Sequence, residues 1–262
     1  GDRSVGSGHR RHGTEDNRDR RVIRLSVNVN KVATLRNSRG GRDPDVLEAV
    51  RVCIRAGAPG ITVHPRADQR HITAADVHQV AEVLKTFAHV EFNIEGDPRP
   101  ELLDMVLRIR PTQCTLVPVK PREITSQAGW PADTPADRLT AVVSGMKKIG
   151  VRVSLFVEPV PDAVRWAADV GADRIELYTE PFARAFESRK GEESFRIYAE
   201  AAELAHSLGL GVNAGHDLDL RNLTVFRELP HLAEVSIGHA LMSHALYVGL
   251  DRSVRDYLNA LR

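Results

Sequence analysis

Two histidines and two arginines, His64, Arg66, Arg70 and His71, crowd into eight positions of the stretch ITVHPRADQRHIT, immediately after an apolar run. A structural loop is satisfied by glycine, asparagine and serine, so this composition reads as a site. Other groups able to move protons or hold anions recur at the ends of β-branched runs: Asn28 and Asn30, Glu95, Glu158, Glu176, Asn213 with His216, and Gly238 with His239. An imidazole near its ordinary pKa and a carboxylate raised by partial desolvation are the groups that acid–base catalysis requires near neutral pH. For any one of them, a hydrogen-bonded rim residue, a salt bridge or a polar helix start is an adequate alternative. Their convergence on successive run ends is what makes a site.

The last two of these run ends share a local pattern, AGH at 214–216 and IGH at 237–239. A glycine just before a helix lets an anion approach backbone N–H groups, and barrels commonly bind phosphate with the loops after strands seven and eight. Metal chemistry is disfavoured, because no HxH, HExxH or close acidic cluster occurs, and no metal is expected. A Schiff-base lysine is disfavoured too: of six lysines only Lys31 lies near a run end, inside the polar stretch NKVATLRNSRGG.

Groups so far apart in sequence meet only if the elements carrying them repeat. From residue 24 the chain alternates short β-branched runs with longer helical patterns, eight times in succession. RLSVNVN is read as the first strand. DPDVLEAVRVCIRAGA is the following helix, with Pro44 in its first turn and Gly57 at its stop, and ITAADVHQVAEVLKTF is a helix capped by Thr73. Such alternation with short connections implies parallel strands and right-handed crossovers. Eight units are the content of a closed α/β barrel, the (β/α)8 TIM barrel, here with additional helices, whose chemistry sits where the strands end. The competing architecture, a doubly wound open sheet, requires a GxGxxG loop after the first strand, and none follows RLSVNVN.

Composition sets outer limits. With 262 residues and 42% hydrophobic side chains there is material for a full core, and the formal net charge is only +1. The arginine surplus is concentrated before residue 25, so the remainder is not a general polyanion binder. Residues 1–21 are rich in Gly, Arg and Asp without periodicity, which predicts a flexible basic N-terminal tail ahead of a single catalytic barrel over 22–262. No aromatic residue interrupts the tail to stack on bases, so no nucleic-acid partner is expected. Cys53 and Cys114 fall in apolar helical and strand patterns and read as small core residues of a reduced, cytoplasmic protein. No apolar run approaches the roughly 18 residues of a membrane span, and the N-terminal stretch lacks the apolar segment of a secretory signal, so no membrane partner is expected.

Taken together, the segments VNVNKVATLRNSRGG, GITVHPRADQRHI, FNIEGDP, LVPVKPREITSQAGW, VSLFVE, IELYTEPFA, VNAGH and SIGHALM resemble those of the pyridoxine 5′-phosphate synthase family. They follow in family order from about residue 22 to the C terminus. The resemblance implies a TIM barrel assembled as a homo-octamer. It implies condensation of 3-amino-2-oxopropyl phosphate with 1-deoxy-D-xylulose 5-phosphate, closing a pyridine ring and releasing phosphate and water, with no metal or organic cofactor. By motif position it implies His64 and Glu95 as proton acceptors, His216 as proton donor and Glu176 as transition-state stabiliser. Asn28, Arg39, Asp217, Gly238 and His239 then fall where the aminoketone phosphate is held. Asn30, Lys31, Arg66, His71 and Thr125 fall where the deoxyxylulose phosphate is held.

Three positions depart from the family pattern: Asn30 and Lys31 stand where many members carry Asp-His, and Asp217 where many carry Gly. Lys31 keeps a potential phosphate partner, whereas an Asp217 carboxylate would repel a phosphate beside it. The long segment from Pro118 to Gly129 reads as a lid that excludes water from imine intermediates. Two other functions compete with this reading. Another phosphosugar-processing TIM barrel, an aldolase or isomerase, would act on a single phosphorylated substrate, and a non-catalytic barrel would bind a partner through the basic tail.

Overall fold

Closure of the β-branched runs into a ring removes every free sheet edge, and the chain reaches that arrangement. A computed structural model describes residues 22–118 and 128–262. Its strands are β1 (Arg24–Asn28), β2 (Gly60–Val63), β3 (Glu91–Gly96), β4 (Gln113–Leu116), β5 (Arg152–Val157), β6 (Arg174–Tyr178), β7 (Gly211–Gly215) and β8 (Leu232–Ile237). All eight are parallel and ordered as in the sequence, with Val27 of β1 standing opposite both Ile61 of β2 and Ile237 of β8. The helices are α1 (Asn30–Asn37), α2 (Val46–Arg55), α3 (Ala74–Leu84), α4 (Pro100–Ile109), α5 (Ala136–Lys148), α6 (Pro161–Val170), α7 (Glu180–Glu187), α8 (Gly191–Ser207), α9 (Leu223–Phe226), α10 (His239–Val248) and α11 (Leu250–Ala260). The expected TIM barrel with additional helices is therefore present, α1, α7 and α11 being extra to one helix per strand.

Local chemistry explains the helix boundaries. Thr73 caps α3 in a reciprocal box with Asp76, whose carboxylate accepts the Thr73 N–H at 2.8 Å. Gly57, at φ +103°, ends the turn after α2, as its position suggested. Pro44 does not open that helix: Asp45 is the N-cap, its side chain accepting the Leu47 N–H at 2.8 Å, and Pro44 precedes the cap. The polar stretch around Lys31 is helix α1 and not the expected continuation of strand into loop. Only Val32 and Ala33 of α1 are buried, too narrow a stripe to show as helical periodicity.

Inside the ring the side chains are mostly polar. Outward residues such as Leu25, Val27, Ile61 and Val63 are fully buried under the helices, while Thr62, Asn93, Gln113, Asn213 and Glu234 are buried on the inner face. Hydrogen bonds cross the barrel from one wall to another: Gln113 of β4 donates to Glu234 of β8 at 3.2 Å, and Asn213 of β7 donates to Gln113 at 3.4 Å. The Ser26 and Thr62 hydroxyls bond at 2.6 Å, and Asn93 continues this chain to Thr115. Towards the strand starts Arg152 pairs with Glu91, and Arg174 lies 4.0 Å from Glu234. These polar side chains of the inner face thereby partner one another, which offsets the cost of burying them.

Candidate active site

Backbone and amide contacts tie the first two strand ends together. The Asn30 N–H donates to the Asn28 side-chain oxygen, and the His64 N–H donates to the Asn30 side-chain oxygen, both at 3.0 Å. Asn30 thus keeps an acceptor where the family pattern has a carboxylate. The loop after β2 is held from α1: Arg36 makes two hydrogen bonds to Asp76, at 2.6 and 2.9 Å, and the Asn37 amide donates to the His71 carbonyl at 2.9 Å. Within it, His71 Nδ1 accepts the Ile72 N–H at 2.9 Å, so a neutral ring carries its proton on Nε2. Burial and the charges of Arg66 and Lys31 push the His71 pKa down to about 4. Arg66 is buried, 3.9 Å from Asp68, whereas Lys31 and Arg39 are exposed on and just beyond α1.

Four groups from four different strands meet in the interior. His64 Nδ1 lies 3.8 Å from Glu95 Oε2, and His216 Nδ1 lies 3.7 Å from Glu176 Oε1. Each of the four residues has a buried polar atom without a protein hydrogen-bond partner: His64 Nε2, Glu95 Oε2, Glu176 Oε1 and His216 Nδ1. Unsatisfied buried polar atoms are rare and point to a ligand or a catalytic task. Their electrostatics are mutually opposed. Burial, reinforced by the positive charges of Arg66 and Arg99, drives the His64 pKa well below its ordinary value. Burial pushes Glu95 up to about 8, with the Ser236 hydroxyl pulling the other way, and holds Glu176 well above the carboxylate range together with the charge of Glu95. The His216 imidazole, packed 4.9 Å from the ring of Phe156, is lowered by burial to about 4. Near neutral pH the site therefore holds two neutral imidazoles facing carboxyl groups that retain or readily take up protons.

The glycines of the two AGH and IGH patterns serve packing within the site. A Cβ on Gly215 would stand 2.5 Å from Glu176 Oε1 and 2.9 Å from the Ser236 carbonyl, and one on Gly238 would stand 3.0 Å from Asn28 Cβ. Beside them a cavity of about 770 Å³ runs between α7, the 216–222 segment and α10, lined by His216, Asp217, His239 and Ser243 among others. Gly238 and His239 form the start of α10, where backbone N–H groups favour an anion. Asp217 lines the same cavity, its carboxyl raised by partial desolvation there and by the nearby Glu180.

Asn213 does not belong to the rim: it accepts from Arg174 at 3.0 Å and donates to Gln113 deep in the barrel, because β7 runs on to Gly215. Thr125, the candidate lid over most of its length, and the tail lie outside the described residues; at the lid's far end the Gly129 N–H donates to Glu158 at 3.3 Å. Among the described residues no group of three or more His, Cys, Asp or Glu is placed to hold a metal ion. Two contributors have no sequence signal. Ser236 donates to Glu95 at 3.4 Å while its carbonyl accepts the His216 N–H at 3.3 Å, and buried Thr179 contacts the backbone on both sides of His216.

Residues 25–262 match the family model described as pyridoxal phosphate biosynthesis protein PdxJ. The pyridoxine 5′-phosphate synthase of Cytophaga hutchinsonii is 52% identical over 242 residues, covering 92% of this chain and all of that protein. That of Bacteroides thetaiotaomicron is 50% identical with the same coverage. Among solved structures, thiamine phosphate pyrophosphorylase from Pyrococcus furiosus superposes with a TM-score of 0.59 at 13% identity, covering 92% of this chain and 96% of its own. Phosphoribosyl anthranilate isomerase from Thermotoga maritima does so with 0.57 at 10% identity, covering 91% and 98%. These two similarities speak for the barrel alone.

Proposed function

The chain belongs to the family of pyridoxal phosphate biosynthesis protein PdxJ, and we infer from that premise that its barrel mouth makes pyridoxine 5′-phosphate. The substrates in this reading are 3-amino-2-oxopropyl phosphate and 1-deoxy-D-xylulose 5-phosphate, and phosphate and water leave. The observation that carries it is the pair of imidazole–carboxyl contacts at the barrel mouth, His64 with Glu95 and His216 with Glu176, each with polar atoms left for a substrate.

Closing a pyridine ring from an aminoketone and a ketose requires proton transfers at several atoms, so acids and bases must lie on more than one side. His64, kept neutral by its surroundings, suits a proton acceptor. Glu95 accepts a proton in its carboxylate form, which grows as pH approaches about 8. His216 donates through its ring, and Glu176, a neutral acid beside it, stabilises negative charge developing on the substrate and can restore the donated proton.

Arg66, His71, Lys31 and Asn30 are the assigned holders of the deoxyxylulose phosphate, supported by the His71 Nε2–H and the buried Arg66 guanidinium beside it. By motif position Thr125 joins them. Asn28, Arg39, Asp217, Gly238 and His239 are the assigned holders of the aminoketone phosphate, supported by the start of α10 at the cavity wall. No metal or organic cofactor enters the reading. It includes one catalytic domain from residue 22, a cytoplasmic location and a homo-octamer. For the last, Leu246 and Tyr247 at the end of α10 are 76% and 88% exposed, apolar surface suited to a neighbouring subunit. No helix among the described residues is long and apolar enough to cross a membrane.

The test is an assay with both purified substrates that follows the ultraviolet absorbance of the product. Product formation only when both are present is expected. Turnover of the sugar phosphate without the aminoketone would instead mark a single-substrate aldolase or isomerase. Removal of residues 1–21 should leave synthesis intact, and loss of it would favour a function seated in the tail.

A further inference from the structure

We propose that Thr179 is a positioning residue for His216, a role that rests on His216 being the proton donor. Thr179 is fully buried at the N-cap of α7, yet its hydroxyl makes no capping bond to that helix. A threonine at this position ordinarily satisfies an N–H of its own first turn. Here the hydroxyl is diverted across to the end of β7. It donates to the Gly215 carbonyl and accepts the Asp217 N–H at 3.2 Å, so one oxygen holds the peptides on both sides of His216.

That restraint is needed because His216 occupies the left-handed region, at φ +90°. A residue with a Cβ remains there only when its surroundings over-determine it. The His216 N–H is tied to the Ser236 carbonyl at 3.3 Å, and Gly215 is wedged against Glu176 Oε1 and the Ser236 carbonyl. The Asn222 amide holds the Asp217 carbonyl at 3.0 Å, and Thr179 anchors the Gly215 carbonyl and the Asp217 N–H. Without its hydroxyl, two backbone groups lose their partner and the loop can relax towards ordinary φ. The imidazole would then swing away from Glu176, to which it stands 3.7 Å distant, without any change at the phosphate holders after β2.

Thr179→Val, which keeps the shape and removes the hydroxyl, is the informative variant, with Thr179→Ala in its place should circular dichroism show Val unfolded. The expected result is a fall in kcat of about 100-fold with the KM of the deoxyxylulose phosphate, held after β2, within about threefold of the parent, the pattern of a misaimed catalytic group. Thr179→Ser should recover kcat to within about threefold, and Thr179→Val added to His216→Gln should cost less than about twofold more. A parental kcat in Thr179→Val, or an equal loss on the His216→Gln background, overturns the proposal. Parental kcat in His216→Gln alone overturns the donor assignment; the positioning claim is then decided by a crystal structure of Thr179→Val, in which an unmoved 215–217 backbone refutes it.

Discussion

Glu95→Gln removes an ionisable group that the fold keeps protonated, so the variant should lose activity and, above about pH 5, gain stability over the parent. The unfolded chain releases this proton near the ordinary value of 4.5, whereas the folded chain holds it to about 8. Between those values the native state binds the extra proton. What the protonated carboxyl contributes is fully present below pH 4.5 and is lost as pH rises to about 8, with a slope of about 1.4 kcal/mol per pH unit. Gln cannot ionise and has no such slope. Integrated from pH 5 to pH 8, the stability of the variant relative to the parent should grow by about 3.5 kcal/mol, a difference in which the titrating groups that do not feel the Glu95 charge cancel. Urea unfolding at pH 5, 6.5 and 8, followed through the Trp130 and Trp166 fluorescence and circular dichroism, measures it. Loss of a general base should cost about 10²–10⁴ in turnover in the same variant, and parental kcat/KM should climb towards pH 8. Parallel stability curves for the two proteins would refute the burial argument, and undiminished turnover would refute the role.

Gly215→Ala places a methyl group 2.5 Å from Glu176 Oε1, and is expected to lower kcat and to destabilise the fold by about 1–3 kcal/mol, read by turnover and thermal unfolding. Thr73→Ala breaks the reciprocal cap of α3 and should cost about 1 kcal/mol in unfolding experiments while leaving kcat near the parental value. Arg66→Ala should raise the KM for the sugar phosphate by about 10-fold or more, and a defect confined to kcat would contradict its assignment.

The barrel was legible because β-branched runs and helical patterns alternate without interruption, and each crossover is short enough to permit only parallel pairing. His64, Glu95, Glu176 and His216 were legible for the same reason: once the ring closes, strand ends and inward positions are known from periodicity. Asn213 was misplaced because one further inward position, Gly215, follows it in β7, and counting back from the loop needs the strand's true end. Helix α1 escaped because its buried face is two residues wide, and α7 because Phe182 alone is buried there. Thr179 and Ser236 were beyond reach. Their hydroxyls bond across strands to backbone and carboxyl groups far away in sequence, and no spacing rule encodes which strand lies opposite. The glycines before His216 and His239 were rightly singled out for close approach, but the approaching groups are Glu176 and Asn28.

The hydrogen-bonded lining of the ring also bears on how the molecule responds to temperature. Unfolding an oil-filled barrel wets apolar surface and raises the heat capacity, whereas wetting amides, hydroxyls and carboxyls lowers it. With Thr62, Asn93, Gln113, Asn213 and Glu234 in the lumen, denaturation should absorb less heat per degree than in an aliphatic-filled barrel of equal length. The stability curve would be correspondingly broad and shallow, with cold losing some of its power to loosen the structure.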